Sequence, residues 1–215
     1  MKLRLYRGLL DLLSPPVCAA CAGPIAMREW VFCGACEPLI DRACPRARLD
    51  LDACMFGGPL RDAIHRLKYR GQSELGAGLA QWLLEPALEL AGEVDLVTAV
   101  PLHARRLRER GFNQSVLLAR PVARALEVPL VPRLLRRVRG ATAQVGRGRE
   151  ARARSLHGAF MASPRAEGMR VLVVDDVRTT GATLDEARRA LGHAAAVYTL
   201  ALARADDVDP DDQMN

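Results

Sequence analysis

Two adjacent carboxylates, Asp175 and Asp176, end the apolar run VLVV and open the loop VRTTGAT. Such a pair accepts hydrogen bonds from neutral hydroxyls and would repel a phosphate that touched it. The loop supplies the complementary chemistry. Thr179, Thr180 and Thr183 carry hydroxyls, and Gly181 lets a ligand approach the backbone closely. Successive amides at the start of a helix can cradle an anion. A ligand with vicinal hydroxyls and a terminal phosphate suits both halves: a ribose 5-phosphate compound. Thr183 and Glu186 have the spacing of a capping box, which predicts a helix start fixed by these two side chains.

A second chemical cluster lies near the N-terminus. Cys18, Cys21, Cys33 and Cys36 are spaced C-x2-C-x11-C-x2-C. Two such pairs bring four thiolates to one tetrahedral zinc and leave no position open for a substrate water, so the expected metal is structural. So small a unit has almost no core of its own, and metal binding would supply its folding energy. Cys44 and Cys54 lack the paired spacing and read as small buried side chains.

The basic residues are uneven along the chain. There are 31 Lys and Arg against 25 Asp and Glu, a net charge of +6. Residues 133–154 hold eight arginines against the single acid Glu150. His103, Arg105, Arg106 and Arg110 follow a strand-like run and could face a diphosphate, a task for which the forked guanidinium is suited. The only lysines are Lys2 and Lys68, and Lys68 reads as a solvated residue on a helix.

These groups need elements to hold them. VDLVTAV (94–100), RVLVVDD (170–176) and AAVYTLALA (195–203) read as buried strands. Helical patterning runs through Leu60, Ile64 and Leu67, through 74–91 with Pro86 as a kink or break, through 115–126, and through Leu184, Ala187 and Leu191. Strands alternating with helices predict right-handed crossovers and a parallel sheet, whose C-terminal edge is where ligands sit. No apolar run is long enough to span a bilayer. Arg4, Arg7 and Asp11 interrupt the apolar N-terminus, which reads as an amphipathic helix rather than a signal peptide, so a cytoplasmic location with reduced or metal-bound cysteines is expected. The expected organisation is a helix and finger over 1–54, an α/β domain over 55–205, and an acidic tail over 206–215.

The stretch VLVVDDVRTTGAT resembles the phosphoribosyl pyrophosphate (PRPP) signature of type I phosphoribosyltransferases. The four-cysteine unit, HRLKYRG (65–71), VPLHARRLRERGFNQS (100–115) and AQVGRGREARARSLHGAF (143–160) extend the resemblance to the ComF/GntX family. The resemblance implies a type I phosphoribosyltransferase fold, an α/β parallel sheet flanked by helices, with a small N-terminal zinc finger. It implies that Asp175 and Asp176 hold the ribose hydroxyls and that Arg178, Thr179, Thr180, Gly181, Ala182 and Thr183 hold the 5-phosphate. Arg105, Arg106 and Arg110 would grip pyrophosphate. Gln144, Arg149 and Arg152 would belong to a loop that closes over PRPP, with Ser155 standing where the family shows Asn. Mg²⁺ would arrive with PRPP, and pyrophosphate would be displaced from C1 by an acceptor. The resemblance also implies a role in natural competence. There the arginines would serve a second reading equally well, contact with the backbone of single-stranded DNA by a non-catalytic accessory that also meets competence or recombination proteins.

Overall fold

The computed structural model describes residues 17–25, 31–44, 47–138 and 157–205. The expected N-terminal helix, the acidic tail, and Gln144, Arg149 and Arg152 lie outside the described residues.

Four parallel strands make the main sheet: β1 (Asp50–Met55), β2 (Leu96–Ala99), β5 (Arg170–Arg178) and β6 (Ala196–Arg204). Their spatial order is β1-β6-β5-β2. The two central strands are nine-residue runs rich in Val, Leu and Ala, the composition of strands covered on both faces. Alternation does the covering. Leu172 and Val174 join one buried cluster, while Val171 and Val173 join another.

On the first face lie α1 (Gly58–Tyr69), α2 (Leu75–Leu79), α3 (Gln81–Leu88) and α5 (Gln114–Ala125). The expected 74–91 helix is two helices that break at Ala80. Pro86 sits inside the second, where it cannot donate to the carbonyl of Trp82 one turn back. Arg42 Nη1 lies 3.4 Å from that carbonyl oxygen and its guanidinium stands 4.5 Å from the Trp82 ring centroid. On the second face α6 (Ala182–Ala190) packs against β5 and against the short antiparallel pair β3 (Leu135–Arg137) and β4 (Phe160–Ala162).

One boundary differs from the sequence expectation. Residues 50–54 are not part of the finger: β1 pairs in parallel with β6, Asp50 opposite Thr199 and Cys54 opposite Ala203. The finger itself packs into the main core, since Cys18, Val31, Phe32 and Ile40 share the buried cluster of α1, α3 and β6. Phe32 meets Trp82 edge to face with centroids 6.1 Å apart. Tertiary packing against the main core therefore helps hold the finger in place. Cys54 is buried as expected, but Cys44 is exposed.

Candidate functional site

β5 runs on to β6 on one side, while β2 lies on its other side. The crevice at the C-terminal ends of β5 and β2 is thus a topological switch point, where ligands bind in open α/β sheets. The acid pair ends β5 there, and the loop 100–103 leaves β2 beside it, with Val100 N donating to Val174 O across 3.0 Å.

Both carboxylates are buried, Asp175 at 6% and Asp176 at 5% exposure. Asp175 Oδ1 accepts from Ser115 Oγ at 3.0 Å and from the amide of Asp176 at 2.9 Å. Asp176 Oδ2 lies 2.7 Å from Lys68 Nζ. Burial pushes the Asp175 carboxyl above its ordinary range, and the charge of Asp176 adds to the push. Burial acts the same way on Asp176, but the charge and hydrogen bond of Lys68 outweigh it and hold that carboxyl low. The pair is therefore asymmetric: Asp176 ionised, Asp175 retaining its proton more readily. Lys68 is no solvated surface residue. Its side chain is only 22% exposed and serves as the counter-ion of the pair.

Ser115 is placed by a helix cap. Asn113 Oδ1 accepts from the amide of Ser115 at 3.0 Å, and Asn113 Nδ2 donates to Val100 O at 2.9 Å. Asn113 thus starts α5 and ties it to the end of β2, a local N-cap with a tertiary second bond. Gln114 accepts from Arg110 Nη1. These contacts give RGFNQ a physical meaning: it builds the wall behind the acid pair.

The helix α4 (Ala104–Arg110) precedes that wall. His103 caps it, Nδ1 accepting from the amide of Arg105 at 3.2 Å. Of the three arginines expected to face a diphosphate, Arg106 and Arg110 line a pocket of about 260 Å³ with Lys68, Tyr69, Gly71 and Glu109. Arg105 does not line it and instead meets Glu109 at 2.7 Å on the exposed side of the helix. Burial pulls the Arg110 guanidinium below its usual value, against the charge of Asp176. Its carbon stands 5.4 Å from the Tyr69 ring centroid.

The Thr-Gly loop follows β5. Gly181 has φ 81° and caps α6, a left-handed conformation that favours glycine. The expected capping box is absent. Gly181 itself is the cap, so Thr183 lies inside the helix, and Glu186 accepts from the amide of Ala159 at 3.1 Å and pairs with Arg189. Thr180 Oγ1 lies 3.4 Å from the amide of Ala182. Thr179 is exposed, and Thr180, Gly181, Ala182 and Thr183 are half-buried.

Arg178 departs from its expected place. Its side chain is turned into the sheet, with Nε donating to Asp52 Oδ1 at 2.6 Å and Nη2 to Thr199 Oγ1 at 2.8 Å. It is 7% exposed and committed to β1 and β6, so it holds the loop's base in place and offers nothing to a phosphate.

At the finger, the sulfurs of Cys18, Cys21, Cys33 and Cys36 lie within 4.8 Å of one another. Cys21 and Cys33 sulfurs are 3.8 Å apart. Tetrahedral zinc with bonds of about 2.3 Å sets its sulfurs about 3.8 Å apart, so the spacing fits that ion. Two backbone amides, Gly23 and Cys33, lie 3.4 Å from the sulfurs of Cys21 and Cys18, positions that favour thiolates.

The architecture is that of a type I phosphoribosyltransferase. The profile of the phosphoribosyl transferase domain matches residues 113–212. The "DNA utilization protein YhgH" of Escherichia coli (strain K12) is 30% identical over 224 residues, covering 90% of this chain and 99% of that protein. The "Competence protein F" of Haemophilus influenzae is 28% identical, covering 86% and 88%. The structure of adenine phosphoribosyltransferase from Thermoanaerobacter pseudethanolicus aligns over 71% of this chain and 80% of its own, with 20% identity and a TM-score of 0.40. The chain belongs to the ComF family. Among the described residues no helix is long and apolar enough to cross a membrane.

Proposed function

We propose that the chain binds Mg²⁺–PRPP at the C-terminal edge of the sheet and transfers its phosphoribosyl group to a nucleophile. The observation that carries this reading is the buried pair Asp175–Asp176 at the end of β5, followed directly by the Thr-Gly loop. Asp176, kept ionised, accepts from one ribose hydroxyl, and Asp175 from its neighbour. Thr179, Thr180, Thr183 and the amides at the start of α6 hold the 5-phosphate. Arg106 and Arg110 hold the diphosphate beside the acid pair. The bond from C1 to pyrophosphate breaks as the bond from the acceptor forms, and pyrophosphate leaves with the bonding electrons. The chain's share in this is positioning and charge stabilisation. Calorimetry with Mg²⁺–PRPP tests the site. Asp175→Asn with Asp176→Asn should abolish the binding heat, and undiminished binding would remove the acid pair from the site. Pyrophosphate release over a panel of metabolites and nucleotides tests turnover and identifies the acceptor.

The four-cysteine cluster is proposed to hold structural zinc, and the chain to act in the cytoplasm in the uptake and use of transforming DNA. The names of its relatives, a competence protein and a DNA utilization protein, support the biological part. Direct contact with single-stranded DNA is the second reading, favoured by the arginine excess over 133–154. It requires an affinity that falls steeply with salt and falls again when Arg147, Arg149, Arg152 and Arg154 become Ala; a flat salt response would refute it.

A further inference from the structure

Lys68 joins two features that the sequence presents as separate. Its ammonium lies 2.7 Å from Asp176 Oδ2, and the same side chain lines the pocket that holds Arg106 and Arg110. It stands at the boundary between the acid pair and the anion pocket. It is also a lysine in a chain whose basic residues are otherwise arginine, Lys2 apart. A compact ammonium on a flexible stem suits a place where one donor must serve two acceptors in turn, which a planar fork does less readily.

The groups facing Asp176 are few. α1 brings Lys68, α4 brings Arg110, α5 brings Gln114, and β5 itself brings Asp175. Arg110 is turned to Gln114 and Tyr69, and Ser115 bonds to Asp175. Lys68 alone among these makes an ion pair with Asp176. Two buried carboxylates side by side without a cation would share a proton near neutral pH, because like charges in a low dielectric disfavour double ionisation. A protonated Asp176 would be a poorer acceptor for a ribose hydroxyl.

We propose that Lys68 is a positioning residue for the acid pair: its ammonium holds Asp176 as an ionised acceptor, and its place at the rim of the Arg106–Arg110 pocket lets an incoming diphosphate draw it off that carboxylate as the ribose arrives. The two subsites are then filled together, which selects a ribose that carries both a phosphate and a diphosphate over ribose 5-phosphate alone. This inference rests on the PRPP reading above, and its test separates the two.

Mg²⁺–PRPP affinity is measured by calorimetry from pH 6.5 to 9 for the wild-type chain, Lys68→Met and Lys68→Arg. Lys68→Met should bind about tenfold or more weakly near pH 6.5, corresponding to one unit of displaced carboxyl titration, and the deficit should narrow as pH rises. Lys68→Arg keeps the cation and should restore the wild-type pH profile while recovering the affinity only in part, because the planar fork passes less readily from the carboxylate to the diphosphate. No deficit, or one that does not change with pH, overturns the proposal. If the wild-type chain binds no Mg²⁺–PRPP, the proposed function falls, and Lys68 is judged on the ligand-free protein by carboxyl-carbon NMR. Asp176 should then titrate below the ordinary carboxylate range in the wild type and move up in Lys68→Met; an unmoved Asp176 overturns the pairing. Should Lys68→Met fail to fold, the wild-type titration decides alone, and Asp176 ionising at or above the ordinary range overturns it.

Discussion

Arg178 Nε donates to Asp52 Oδ1 across 2.6 Å, so the strand bearing the acid pair is tied by charge to the edge strand of the sheet. Both side chains are buried, Asp52 at 1% and Arg178 at 7% exposure. Arg188 and Thr199 reach Asp50 in the same cluster, at 2.9 and 2.7 Å. Removing one partner of a buried pair leaves an uncompensated charge and costs about 3–5 kcal/mol. Arg178→Ala leaves Asp52 with Arg204, 3.8 Å away, as its remaining cation, and should therefore lower stability by about 3 kcal/mol, the lower end of that range, in urea unfolding. Arg178→Ala that unfolds at the wild-type midpoint would show that the pair contributes nothing.

Asp175 gives a pH dependence of definite sign. Burial first, and the charge of Asp176 second, raise its carboxyl to about 8. Between the unfolded carboxyl value of about 4 and that point, the unfolded chain has lost the proton that the folded chain keeps, so this group's contribution falls as pH rises. Asp175→Asn removes that loss and can keep the contacts to Ser115 and the Asp176 amide through its amide oxygen. The variant should melt higher than the wild type by about 2–4 °C at pH 8, with the gain shrinking toward pH 5, while losing ligand binding. A gain that grows toward acid pH would contradict the assignment.

Metal removal should act beyond the finger. Phe32 and Arg42 both rest on Trp82, which belongs to α3 under the sheet. The purified protein should carry about one zinc per chain by elemental analysis, as a closed four-thiolate site requires. Chelation should shift the emission of Trp82, read in a Trp30→Phe background, because Phe32 loses its fixed place. Full chelation with unchanged emission would mean that the finger's fold does not depend on the metal.

Gly76 of α2 packs directly against Leu117 of α5. A Cβ there would lie 2.7 Å from Leu117 Cβ, closer than side-chain carbons pack. Gly76→Ala should cost about 1–3 kcal/mol through overpacking, although alanine is the better helix former. Leu117→Gly in the same chain, which removes that Cβ, should recover part of the loss in thermal unfolding; strictly additive losses would place the strain elsewhere.

The sequence carried the sheet's centre more clearly than its edge. VLVVDD and AAVYTLALA are apolar runs of strand length, and both are strands. DLDACM, which became β1, alternates acids with apolar residues and lies beside a cysteine unit that claims attention on its own. Asp52 is buried against Arg178, a partner more than a hundred residues away that no local pattern discloses. The same limit applied at the site. The acid pair was legible because its neighbours in sequence are its neighbours in space. Lys68 was not, because it lies on a helix more than a hundred residues before its partner on β5; the one available signal was a lysine in a chain that, Lys2 apart, uses arginine. Thr183 and Glu186 satisfied a capping spacing by coincidence, since Gly181 had already ended the preceding turn.

Within the main sheet the first strand pairs only with β6, the strand farthest from it in sequence, while residues 41–43 bridge its other edge, Met55 N donating to Asp41 O at 2.8 Å and Ala43 N to Ala53 O at 3.2 Å. During synthesis β1 emerges before the other strands and has no partner within the main sheet until β6 has followed, so sheet closure waits for the strand farthest from it in sequence. A nascent chain stalled before β6 would display an open edge, with Asp50 and Asp52 as its guard against pairing with a stranger.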